Sequence, residues 1–138
     1  MKYIILLYGS QQAYDAMAGK SVDHPALSPE DFAPMHAFME AFVADLVKSG
    51  ELVDTQGLAA PVHTRRIQLE DGVPVVTDGP YAETQEVLAG YQLVECESFD
   101  RATEIAAGLA NCPYPADAPG PFVVDVRPIA ETSADLGF

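Results

Sequence analysis

The chain has 138 residues, 49% of them hydrophobic, and a formal net charge of −14 from 7 basic and 21 acidic side chains. One compact domain is expected at this length, burying roughly two thirds of the unfolded surface without help from a disulfide or metal. The hydrophobic content excludes a disordered polymer, and the negative charge opposes a nucleic-acid backbone or an anionic membrane as partner.

Lys2 to Tyr8 reads as a first strand, apolar at consecutive positions. Its run from Tyr3 is too short for a signal peptide or a membrane span. Ser10 to Leu27 reads as a long polar connection. Ser28-Pro29-Glu30-Asp31 then supplies an N-cap, a first-position proline and first-turn acids. The helix it opens repeats Met35, Met39, Phe42, Val43 and Leu46 on one face, and Lys48 and Gly50 close it. Pro34 fits only if regular hydrogen bonding begins near it.

Leu52 to Leu58 reads as a short strand. His63 to Leu69 and Val73 to Thr77 form a predicted hairpin around Asp71-Gly72, whose residues favour the positive φ of a two-residue turn. Val87 to Cys96 is a long strand, Ser98 caps a second helix carrying Ala102, Ile105, Ala106 and Leu109, and Phe122 to Arg127 is a last strand. Residues 1–130 make the predicted domain, followed by an acidic, frayed tail over 131–138. Cys96 and Cys112 have no paired spacing and read as packed small hydrophobes, which suits a reduced, cytoplasmic compartment.

This order is an α+β pattern, a ferredoxin-like βαββαβ arrangement with an inserted β-hairpin. Two helices cover only one face of such a sheet, yet the first and last strands are apolar on both. A second copy is the simplest cover for the other face, so a homodimer is expected.

Asp78-Gly79-Pro80-Tyr81-Ala82-Glu83-Thr84-Gln85-Glu86 places three carboxylates in a turn between two strands, more than turn chemistry requires. Asp78 can serve as a general acid or base, or simply cap the turn. Glu83 and Glu86 can share a site, or stand solvated and answer Arg65 and Arg66. His36, at the edge of the first helix's apolar face, is a second acid–base candidate, and His24 is a lid candidate in the long connection. Arg65 and Arg66 alternate faces, so one of them can clamp a ligand's carboxylate while Tyr8, Tyr81 and Tyr91 are candidates to line the same pocket. No histidine spacing supports a metal, and no phosphate loop, dinucleotide fingerprint or nucleophile elbow calls for a cofactor.

The segment 78–86 with Gly90-Tyr91 resembles the signature of the DGPF family, within the wider YCII-related group. Met1-Lys2-Tyr3, Gly50-Glu51-Leu52 and Val126-Arg127-Pro128-Ile129 also fit, so the resemblance spans nearly the whole chain. It implies a ferredoxin-like fold dimerising sheet to sheet, as in the dimeric α/β-barrel superfamily of small isomerases, lyases and cofactor-free oxygenases. It implies no settled activity, although some members are encoded beside, or fused to, extracytoplasmic-function sigma factors. Gln85 stands where members commonly carry Lys, and Gln68 near a position commonly Arg, so charge pairing through those cations is not expected here.

Two functional readings follow. One is a cofactor-free acid/base enzyme acting on a small organic acid. The other is a non-catalytic ligand-binding or regulatory module with a protein partner in a sigma-factor circuit.

Overall fold

The computed structural model describes residues 1–20, 27–119 and 122–137. His24, the lid candidate, lies outside these residues. Nine principal elements run in chain order: β1 (Lys2–Gly9), α1 (Gln11–Met17), α2 (Ala33–Ser49), β2 (Leu52–Gly57), β3 (Arg65–Glu70), β4 (Val73–Asp78), β5 (Val87–Glu95), α3 (Phe99–Ala107) and β6 (Val124–Pro128).

Strands β2, β5, β1 and β6 form one antiparallel sheet in that order, and β3 pairs with β4 in a separate two-stranded sheet. The fold is α+β and compatible with a ferredoxin-like arrangement. Side chains alternate across the sheet. Tyr3, Ile5 and Val94 point to the helix-covered face and pack with Leu46, Ala102, Ile105 and Leu109. Ile4, Leu6, Tyr91 and Leu93 alternate with them on the other face, where each is half-exposed.

Local chemistry explains most boundaries. Pro29–Phe32 form a 3-10 turn that Ser28 and Asp31 close as a capping box, so Pro34 falls in the first turn of α2. There its missing N–H has no intrahelical partner to lose. Gly50 ends α2 at φ 79°. Asp71 and Gly72 both take positive φ, 50° and 78°, as the two-residue hairpin turn demands. In β5 a Cβ on Gly90 would lie 2.9 Å from the Gln56 carbonyl oxygen, so only glycine lets β2 approach there.

Three readings of the sequence need correction. The connection after Ser10 contains a helix, α1, capped by the Ser10 hydroxyl accepting from the Ala13 N–H at 3.1 Å. The acidic tail contains a local turn: Thr132 and Asp135 make a capping box over a 3-10 turn at Ser133–Leu136. Of the five apolar positions assigned to the buried face of α2, only Leu46 is fully buried. Met35, Met39 and Val43 instead border a cavity.

Candidate active site

The cavity, about 580 Å³ in volume, lies where the Gly9 end of β1 meets α1, α2 and the β5–β2 edge. That volume falls within the roughly 300–1,000 Å³ of small-molecule sites. Ala13, one of the two buried alanines of α1, borders it with a small side chain. Tyr14, also on the lining, fixes the helix by donating its hydroxyl to the Leu58 carbonyl at 2.9 Å. Gln11 tethers the start of the helix by accepting from the Val62 N–H at 2.8 Å. The Gln12 N–H donates to the Glu83 carbonyl at 3.0 Å, which ties α1 to the acidic turn.

The walls are largely apolar. Met17, Met35 and Met39 supply three flexible thioethers, and Val43, Leu7 and Phe122 add hydrocarbon. Tyr114 forms another wall, held edge-on to the fully buried Phe32 at 6.1 Å between ring centroids. Polar groups are few and unevenly distributed. His36, Glu40 and Glu86 belong to the lining as exposed residues and so form its rim. Apolar surroundings at Glu86 push its carboxyl pKa up from the ordinary 4.5. Burial also raises the Cys112 thiol on the same lining and the Tyr14 and Tyr114 hydroxyls.

Gln92 is the most buried polar side chain of the cavity lining, 3% exposed. On β5 it pairs with Ile5 on one side and Thr55 on the other, on the helix-covered face. Its Oε1 is buried with no hydrogen-bond partner among the described residues. A buried amide oxygen without a donor costs about 1–3 kcal/mol, so its persistence needs a reason.

Of the sequence-predicted residues, the cavity gathers Tyr8, His36 and Glu86. Asp78 ends β4 and pairs with Arg65 at 3.2 Å, with both side chains about four-fifths exposed at 80% and 78%. Arg66 stacks its guanidinium 5.2 Å from the Tyr81 ring centroid, and Tyr81 borders a separate, smaller pocket of about 280 Å³. Glu83 is exposed and contributes its backbone carbonyl. Tyr91 turns to the opposite sheet face and donates to Asp54 at 2.7 Å. Among the described residues, no group of three or more His, Cys, Asp or Glu is placed to hold a metal ion. No helix among them is long and apolar enough to cross a membrane.

Gln92, Tyr14 and Tyr114 were not singled out from the sequence. Gln92 does leave a trace there: Gly90, Gln92, Val94 and Cys96 share one strand face, and Gln92 alone carries a polar side chain into the core.

The family model of the YCII-related domain matches residues 1–131. An uncharacterised protein of Rhizobium meliloti (strain 1021) is 28% identical over 130 residues, spanning 94% of this chain and 93% of that relative. With nearly its whole length matched, this chain belongs to the YCII-related family.

Proposed function

We propose that the chain is a small acid/base enzyme that works without a resident cofactor, with the α1–α2 cavity as its active site. Glu86 is the proton carrier in this reading and His36 its partner on the rim. One observation carries it: a carboxyl with a raised pKa borders an apolar cavity that also takes up an imidazole. A carboxyl raised toward neutrality holds its proton nearer working pH, as general acid–base catalysis needs.

The expectation of an organic-acid substrate rested on Arg65 and Arg66. Neither borders this cavity, and among its described lining residues there is no Arg or Lys. An anion would find no clamp there, so this reading does not require the substrate to be an acid. Asp78, paired with Arg65 at the exposed hairpin end, acts as a turn residue in the same reading.

A metabolite-library thermal-shift screen followed by turnover assays tests the proposal, because a ligand that binds the folded state stabilises it. Glu86→Gln should keep binding and lose turnover. Full turnover in that variant would remove Glu86 from the mechanism. Tight binding without turnover in the wild type would favour the ligand-binding or regulatory module, with any sigma-factor link running through a protein partner.

We also propose that the chain dimerises through the uncovered sheet face. Half-exposed Ile4, Leu6, Tyr91 and Leu93, and the exposed hairpin residues Ile67 (65%) and Leu69 (73%), support that reading. Light scattering at micromolar concentration should return twice the chain's 14.8 kDa. A stable monomer would contradict it.

A further inference from the structure

The inference drawn here rests on the cavity being the binding site, and it concerns the ligand's chemistry. The cavity's polar groups are of two kinds. Its rim carries two carboxylates and an imidazole at exposed residues, while Gln92, the most buried polar side chain of the lining, holds its amide oxygen closed off and without a partner among the described residues. The remaining surface is mostly thioether, aliphatic and aromatic, with the side chains of Thr55, Gln56 and Cys112 among it. A charged group placed beside Gln92 would be desolvated with no counter-ion, which is strongly unfavourable. An apolar molecule lacking a donor would leave the amide oxygen as it stands.

We infer that the cavity takes an uncharged, largely apolar molecule carrying an N–H or O–H group, and that Gln92 selects it by accepting that hydrogen bond. Oε1 is closed to water in the free chain, so a donor reaches it when the amide turns about its terminal torsion. That torsion is soft, with a broad rotational profile. The methionines on the walls adjust around a ring of varied shape. A site built to bond one donor discriminates strongly against the analogue that lacks it.

Calorimetric titration of the full chain with indole, 1-methylindole and indole-3-carboxylate tests this. Indole presents one donor on an apolar body, the methylated probe removes that donor, and the third adds an anionic charge. Wild type should bind indole roughly three- to tenfold tighter than 1-methylindole, the ratio one ordinary hydrogen bond supplies, and should bind the carboxylate weakest. In Gln92→Leu the ratio of the first two should fall to about one. Gln92→Met repeats the comparison should the leucine variant fail to fold. Equal binding of indole and 1-methylindole by wild type, or an unchanged ratio in the Gln92 variants, would overturn donor selection while leaving the cavity as a binding site. Preference for the carboxylate would overturn the uncharged class. Absence of binding by any of the three overturns the ligand class, whereas a library ligand whose turnover depends on Glu86 would still uphold the active-site reading.

Discussion

The cavity and the β3–β4 hairpin carry the chain's polar chemistry in opposite ways. The hairpin end holds charges in plain view: Arg65, Arg66 and Asp78 lie close in sequence, and the Arg65–Asp78 pair is almost wholly solvated. Such a pair adds little to stability because water screens it. The cavity draws its polar groups from distant parts of the chain and sets them among largely apolar walls. There the Glu86 carboxyl is shifted up and the Gln92 amide oxygen has no partner among the described residues. On the proposed reading, density of charge in the sequence marks a turn rather than the site. What distinguishes the site is the environment given to a few groups.

Substitutions in the two regions should separate sharply. The largest effect is expected at Phe32, which is fully buried and supports the Tyr114 wall. Phe32→Ala should lower unfolding free energy by about 3–5 kcal/mol in chemical denaturation. A loss under about 1 kcal/mol would mean the wall is not packed as described. Next comes Gln92→Leu, which removes an unsatisfied buried amide. It should raise stability by about 1 kcal/mol while abolishing donor selection, the opposite signs expected where stability is given up for function. If the variant is clearly less stable than wild type, Gln92 has a structural partner and the selection argument weakens.

A pH dependence distinguishes the hairpin pair from the pair Arg101 makes with Glu51. Arg101 grips Glu51 with two bonds, at 2.9 and 2.8 Å, and lowers its carboxyl pKa from the ordinary 4.5. A carboxyl depressed on folding contributes stability above its unfolded pKa and loses it as pH falls through the lower folded value. Glu51→Gln should therefore flatten the acid limb of stability against pH. Asp78→Asn, at the other end of the scale, should leave stability within about 0.5 kcal/mol. A larger change would show that the hairpin end is buried in solution, as a partner copy could arrange.

Much of the fold was legible because its signals are local. Asp71-Gly72 specified the hairpin, Ser28 and Ser98 marked helix starts, and alternating apolar residues located β5. Helix α1 escaped because seven residues with two alanines and two glutamines leave only a faint periodic face. Its Ser10 cap is visible only once the helix is suspected. The site was less legible for a different reason. His36 and Glu86 were among the candidates, but they lie far apart in the chain and only the tertiary fold brings both to one cavity lining, which no local signal encodes. Met35, Met39 and Val43 have the spacing of a core face. Whether such a face meets packed side chains or open space depends on what the rest of the fold places opposite it, which periodicity does not encode.

Methionine-methyl NMR addresses the central claim, that the cavity is where ligand binds. The chain has four methionines; Met17, Met35 and Met39 line the cavity, and Met1 sits at the opposite end of β1 beside a different pocket. Titrating methyl-labelled protein with indole should shift the first three signals together, saturably, and leave Met1 in place. Binding that moves Met1, or moves none of the four while calorimetry reports a complex, would put the ligand elsewhere and contradict the account.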